Sequence, residues 1–304
     1  MPDTGVHVLA VCGHESGNGA ALRRLAGPDT IVVGGGRELY RALTARPSRQ
    51  TVAVVPMTLG RDPELVADAA RTVRALPPEL RRGTAVAEPF GSSEHLVGWL
   101  RAAASGVPAE AALLITAPAG DPYQDAELHR VAHLVRVYGR HRLVETALLG
   151  GDVEPAEGVR RCALLGARQV AVLSASFLPP APPAAPAGVS VRDTGPLLGP
   201  ASLAAVLSAR AGAAVRRLRE SGEDGVGAAL SAADRHGPSH SHGVDGGHHR
   251  HEHHHGPGEG HAHDREHHHE HHHGPGEGHT HGPGSPPVQQ HIHSSPLMGA
   301  RSHQ

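Results

Sequence analysis

Continuous apolar runs alternate with stretches of helical periodicity along the first two-thirds of the chain. The first run, residues 6–14 (VHVLAVCGH), ends on Gly-His, and a second, residues 51–56, ends on a proline. A third follows at residues 84–87, and residues 63–76 between them place apolar side chains at helical spacing. Because buried parallel strands are apolar throughout and are joined by helices, this pattern predicts an α/β fold with helices on both faces of a parallel sheet.

The same order of elements recurs further along the chain. Residues 111–122 (AALLITAPAGDP) stand where the first run stood, and residues 168–179 (RQVAVLSASFLP) resemble residues 49–60 (RQTVAVVPMTLG). We interpret this recurrence as two similar α/β halves, residues 1–107 and 108–220, that arose by duplication. The alternative is that the stretches are alike only as any two α/β segments are.

The remainder of the chain, residues 221–304, is predicted to be a disordered tail. From His236 onward it holds 22 of the 28 histidines, interrupted by small and polar residues that cannot form a core. Residues 251–263 (HEHHHGPGEGHAH) recur as residues 269–281 (HEHHHGPGEGHTH), with a period of 18 residues.

The composition of this tail predicts that it binds divalent metal ions such as zinc or nickel. A neutral imidazole nitrogen binds Ni, Zn, Cu and Co near pH 7, and irregular spacing favours many shifting sites over one fixed cage. No run exceeds three histidines, which argues against an expression tag, while drift without a selected function stays open. The expected ligands are His251, His253, His254, His255, His267, His268, His269, His271, His272 and His273.

Charge and cysteine content exclude several classes of function. The formal net charge is -2, which gives no attraction to nucleic acid or to anionic lipid. Cys12 and Cys162 lie in apolar runs, unlike the disulfide framework of a small secreted protein. With no leader pattern and no apolar run of roughly 20 residues, a cytoplasmic protein without a membrane span is expected. Residues 32–38 (VVGGGRE) lack the Lys-Ser/Thr ending of a phosphate-binding loop.

Three segments together resemble the sirohydrochlorin chelatases, which insert cobalt or nickel into a tetrapyrrole of the cobalamin and related pathways. Residues 8–17 (VLAVCGHESG) are similar to the family's strand followed by Gly-His-Gly-Ser, although a glutamate here precedes the serine. Residues 52–70 (VAVVPMTLGRDPELVADAA) are similar to its second motif, including an acidic residue at Asp68, and residues 157–178 to the matching part of the second half. The resemblance covers roughly residues 5–215 and implies a chelatase-like fold, in which two parallel-sheet halves face a cleft.

This resemblance also implies a reaction and a set of site residues. The substrates would be a divalent ion, cobalt or nickel, and sirohydrochlorin or a similar tetrapyrrole. His14 occupies the Gly-His position, where the carboxyl end of a strand in an α/β sheet places ligands. The second family histidine aligns with Glu64, so His14 and Glu64 are expected to bind the ion and to act catalytically. His95 is a further candidate metal ligand, and Arg61 a candidate for binding the acidic side chains of the ring.

The remaining candidates leave alternatives open. Cys12 is expected to be buried in the core. His129 and His133 are four residues apart in a predicted helix and could ligate one ion, although no third ligand is evident. The competing function is a non-catalytic metal-storage protein or metallochaperone on a chelatase fold. Loss of the motif histidine favours that alternative, and retention of His14 favours the enzyme. The sequence leaves the metal, the exact ring and the oligomeric state undetermined.

Overall fold

Two parallel sheets form the framework of the protein. The computed structural model describes residues 6–25, 30–47 and 50–234, all within one unit. The strands in this range are β1 (His7–Cys12), β2 (Thr30–Gly34), β3 (Val52–Met57), β4 (Thr84–Val86), β5 (Ala112–Pro118), β6 (Val144–Leu149), β7 (Gln169–Ser174) and β8 (Ser190–Asp193).

Helices connect and cover these strands. They are α1 (Leu22–Leu25), α2 (Arg37–Thr44), α3 (Pro63–Arg74), α4 (Pro78–Arg81), α5 (Ser93–Ala104), α6 (Pro122–Tyr138), α7 (Pro155–Leu164), α8 (Pro200–Ser221) and α9 (Val226–Asp234), with a 3-10 turn at His14–Ser16. Within the described ranges no helix is both long enough and apolar enough to cross a bilayer.

Both sheets have the same internal strand order. The first is ordered β2-β1-β3-β4 and the second β6-β5-β7-β8. In each sheet the first strand along the chain lies in parallel between the second and the third. The predicted α/β fold, with two similar parallel-sheet halves, is therefore confirmed.

One helix from each half packs on the other half. Helix α5 follows β4 in the chain but contacts α6 and β7, and helix α8 follows β8 but contacts β3 and β4. The inner faces of the two sheets consequently share one core, in which Ala53 and Val55 belong to the same cluster as Leu113 and Ile115. The described residues form one compact unit, so the structure does not test the boundary proposed between residues 107 and 108, which stays a prediction.

Alternation along β1 explains why that strand is apolar from Val8 to Cys12. Leu9 and Val11 pack in an outer core with side chains of α2 and α3, whereas Ala10 and Cys12 face the shared core. A strand covered on both faces needs apolar side chains at every position. Cys12 is buried, as predicted.

The chain stays ordered beyond the point where the sequence predicted disorder. Helix α9 lies within the predicted tail of residues 221–304, yet it packs on α3 and β4 and buries Val226 and Ala229. The predicted tail therefore begins too early. A stretch rich in Ala and Gly has little apolar area to signal a core helix, but small side chains allow it to lie close against α3.

The segment just before α9 is fixed to the edge of the first sheet. The carbonyl of Asp224 accepts a hydrogen bond of 2.7 Å from the amide of Val86 in β4. The Asp224 carboxylate also forms an ion pair of 2.9 Å with Arg81. These contacts cover part of the free edge of β4 and place α9 on the first half.

Candidate functional site

A histidine and an aspartate meet where β1 and β3 end. His14 begins the 3-10 turn after β1, and its Nδ1 lies 3.0 Å from Oδ2 of Asp62. The two side chains are 23% and 11% exposed, respectively. The structure thus places His14 at the carboxyl end of a central parallel strand, the position expected from the sequence.

Asp62 reaches His14 because it is also the N-cap of α3. Its Oδ1 accepts a hydrogen bond of 3.0 Å from the Leu65 amide, and its own amide donates to the hydroxyl of Thr58 at 3.1 Å. The second carboxylate oxygen is left for His14. A Cβ atom at Gly13 would lie 2.6 Å from this oxygen, so the absence of a side chain at Gly13 allows the approach.

The predicted pairing of His14 with Glu64 is wrong. The side chain of Glu64 is 72% exposed and forms an ion pair with Arg71 on the outer surface of α3. An N-cap side chain turns back toward the start of its helix, whereas a residue in the first turn does not have to. The carboxylate beside His14 is therefore that of Asp62, which precedes Glu64 by two positions.

A buried carboxyl group lies next to this pair. Glu15 is fully buried, and its Oε2 accepts hydrogen bonds from the Thr58 hydroxyl and from the Leu59 amide, the latter at 3.0 Å. Burial raises the pKa of Glu15, and the nearby positive charge of Arg61 opposes that effect. The sequence signal for this residue was a charged side chain directly after an apolar strand, in the place where the family motif continues with glycine and serine.

Arg61 connects the two halves instead of facing a substrate. Its side chain is inaccessible to solvent, its Nε donates to the Gln124 carbonyl at 3.1 Å, and its Nη2 donates to the Pro118 carbonyl at 3.3 Å. Nη2 also lies 3.3 Å from Oδ1 of Asp125. Burial lowers the pKa of Arg61, and the charges of Glu15 and Asp125 oppose this. The prediction that Arg61 binds acidic groups of a ring is wrong, because protein atoms surround the guanidinium.

Three buried polar atoms in this region have no hydrogen-bond partner within the described ranges. They are Nε2 of His14, Oε1 of Glu15 and Nη1 of Arg61. Leaving such an atom unpaired costs about 1–3 kcal/mol, and native proteins tolerate this mainly where it serves a purpose. Nε2 of His14 is opposite the nitrogen that contacts Asp62. Metal-binding histidines are arranged in this way, with a carboxylate fixing the ring and the other nitrogen free.

A cleft of about 400 Å³ adjoins the pair through Asp62. The amino ends of α3 and α5 form one side, and α6 and α9 contribute Glu127, Arg130 and Ala232. The described lining carries the carboxylates of Asp62, Glu94 and Glu127 and the guanidinium of Arg130. Arg130 pairs with Glu127 and Glu94, and the negative charge that remains favours a cation. His14 is not among the described residues that line this cleft, so Asp62 is the link between the two.

The loop after β3 is held against α5 by a close backbone contact. Gly60 has a φ of +104°, and a Cβ atom there would lie 2.3 Å from the amide nitrogen of Ser93. Only glycine combines this conformation with this approach. The contact fixes one wall of the cleft.

The contacts of His95 are with residues of its own helix and cap, and not with His14 or Asp62. It is exposed, its Nδ1 accepts a hydrogen bond of 3.2 Å from the Ser92 amide at the start of α5, and its ring stacks on Trp99. The cap of this helix is Ser92.

Across the ranges that the structure describes, no three His, Cys, Asp or Glu side chains come together as a metal-binding group. His14, Glu64 and His95 therefore do not form a common site. The predicted tail ligands, from His251 to His273, lie outside the described residues.

Comparison with known proteins does not identify a family for this chain. No family model matches the chain, and no curated protein matches it. Among solved structures, the chain is similar to a multi-domain protein from Deinococcus radiodurans, described as structurally similar to chelatases and as having two additional novel domains. The two share 16% identity with a TM-score of 0.38, over 68% of this chain and 54% of the other. The chain thus spans about half the length of that protein, and a likeness of this size carries no argument about function.

Proposed function

We propose that this protein inserts a divalent metal ion, cobalt or nickel, into sirohydrochlorin or a similar tetrapyrrole. One observation carries the proposal: a histidine ring at the carboxyl end of β1 is held at Nδ1 by Asp62, while its buried Nε2 has no hydrogen-bond partner among the residues that the structure describes. That nitrogen is the candidate ligand for the incoming ion, which is a substrate of the reaction.

The small number of ligands suits an ion that must be released. A structural zinc site is closed by four protein ligands, whereas catalytic metal sites keep positions open. Here Nε2 of His14 is the ligand that we assign, because Asp62 faces Nδ1 on the other side of the imidazole, and nitrogens of the tetrapyrrole or water complete the coordination of the ion. The adjoining cleft, which adds Glu94 and Glu127 to Asp62, would also raise the local concentration of cations.

Metal insertion also requires a group that accepts the protons leaving the pyrrole nitrogens. A neutral imidazole can do this near pH 7, and a carboxylate at its other nitrogen stabilises the imidazolium that forms. We assign this role to Nε2 of His14 after the ion has passed from it to the tetrapyrrole, with one proton accepted at a time and then released to water, while Asp62 orients the imidazole. Asp62 thereby takes the role that the sequence assigned to Glu64.

The test is the cobalt-dependent change in the absorbance spectrum of sirohydrochlorin, followed with full-length protein. Replacing His14→Ala should abolish the enzymatic rate, and Asp62→Asn should lower it by about 10- to 100-fold, the usual cost of losing a carboxylate behind a metal-binding histidine. Glu64→Gln is the matched control, because its exposed carboxylate pairs with Arg71, and its rate should equal that of the wild type. Every variant keeps the histidine-rich segment, so metal collection by that segment is the same in all of them.

A second candidate function is metal storage or delivery without catalysis. The 22 histidines from His236 onward favour it, because they supply far more ligands than one insertion site uses. If the wild type binds cobalt or nickel but leaves the absorbance of sirohydrochlorin unchanged, the enzyme proposal is contradicted and storage is supported.

A further inference from the structure

Helix α6 carries a second group of metal-ligating side chains, which the proposed function does not use. His129 and His133 are exposed, lie four residues apart, and line one cavity of about 230 Å³. Thr146 and Glu145 from the neighbouring strand β6 also line it. Side chains at this spacing lie on the same face of a helix, and pairs of histidines so placed bind zinc in metalloproteases.

We propose that His129 and His133 form a separate site for a divalent transition ion on the surface of α6. Imidazole nitrogens suit nickel, copper and zinc, and the two rings are the ligands that we assign. Two firm ligands leave the remaining positions to water, so the site holds an ion that exchanges with solvent.

The contact of His129 with β6 prepares its ring for this role. Its Nδ1 lies 2.9 Å from the hydroxyl of Thr146. A hydroxyl can accept a hydrogen bond from Nδ1, which leaves the lone pair of Nε2 free for a metal ion. The side chain of His129 is thus oriented from outside its own helix.

The contact of His133 with Arg136 opposes metal binding. Its Nδ1 lies 3.3 Å from Nη2 of Arg136, one turn further along α6. A guanidinium can only donate, so in this arrangement Nδ1 is the acceptor and the proton is on Nε2. An ion must displace Arg136, which also repels it by charge. Arg136 therefore competes with the metal, and its removal should strengthen binding.

The experiment measures the modification of individual histidines by diethyl pyrocarbonate in the full-length protein, with nickel in excess over the histidines of the tail. Trypsin cleaves after Arg130, which separates His129 from His133, and mass spectrometry then gives a rate for each. With free nickel at about ten times the dissociation constant, both rates should fall about tenfold, because only the unliganded fraction reacts. His95, exposed and without a histidine one turn away, is the internal reference and should be protected much less.

Two variants test whether the histidines act together. His129→Gln should remove the protection of His133, and Arg136→Ala should lower the nickel concentration needed for half-protection. Arg74→Ala, which removes the same charge from another exposed helical position, should leave that concentration unchanged. Protection of His133 that survives His129→Gln, or no protection at either histidine, overturns the proposal. Because no tetrapyrrole is involved, either result leaves the proposed metal insertion untouched.

Discussion

The carboxylate of Asp62 makes two structural contacts at once. One oxygen of Asp62 caps α3 and the other holds His14, so the start of the helix and the orientation of the ring depend on each other. Asparagine is nearly as good an N-cap as aspartate. Asp62→Asn therefore separates the charge beside His14 from the stability of α3, which is why that variant is preferred to alanine.

Loss of the buried Arg61 side chain should destabilise the protein strongly. Its replacement by methionine leaves Asp125 and the buried carboxyl of Glu15 without their opposite charge, and breaking a buried pair in this way costs about 3–5 kcal/mol. The free energy of unfolding in urea measures the effect. Arg130→Met is the comparison, because that side chain is 48% exposed and should cost no more than about 1 kcal/mol. Similar losses for both would show that Arg61 does not join the halves.

Three helices of this fold do not pack beside the strand that precedes them in the chain. Helix α5 follows the first sheet and packs with the second half, α8 does the reverse, and α9 returns to the first half beside the cleft. The start of α5 fixes the wall of the cleft through Ser93 and Gly60. The cleft is therefore assembled from the amino ends of two helices and from two further helices that come from later in the chain.

Helix α9 should contribute measurable stability. Ending the chain after Glu223 removes α9 together with everything beyond it, and uncovers the apolar side chains on which Val226 and Ala229 pack. We expect a loss of about 2–4 kcal/mol in the free energy of unfolding, the usual range for removing such buried groups. A chain ending after Asp234 is the control and should retain the stability of the full-length protein in the absence of metal. Equal stability of the two truncated chains would contradict a structural role for α9.

At the scale of the whole molecule, the two halves behave as one packing unit. Their inner sheet faces belong to one core, and Arg61 and the hydrogen bond from the Phe177 amide to the Glu15 carbonyl cross between them. The site at His14 lies beside both of these contacts. Any movement of one half against the other would therefore shift the histidine relative to the cleft.

The two free cysteines can show whether the halves unfold together. Cys12 lies in the shared core and Cys162 in the outer core of the second half, and burial raises the pKa of each thiol to about 11. Neither should react with a thiol reagent at pH 8 in the native protein, because the reactive form is the thiolate. In moderate urea both should be labelled at one rate, measured by mass spectrometry of separate peptides. Much faster labelling of Cys162 would show that the second half opens alone.

The sequence by itself determined the class of the fold and the position of His14. Apolar runs at strand length and their recurrence are local patterns, so they predict two parallel-sheet halves and a histidine at a strand exit without any contact being known. The expectation that the tail binds metal ions rests on its composition alone and stays a prediction. None of these inferences needs the distance between residues that are far apart in the chain.

Only the tertiary structure decided which residues meet His14. Glu64 and Asp62 lie two positions apart, and whether a side chain faces the strand ends or the solvent depends on where α3 begins in space. The burial of Arg61, the exchange of α5 and α8, and the return of α9 depend on long-range packing energies. These energies are sums of contacts between distant segments, and no local pattern records them.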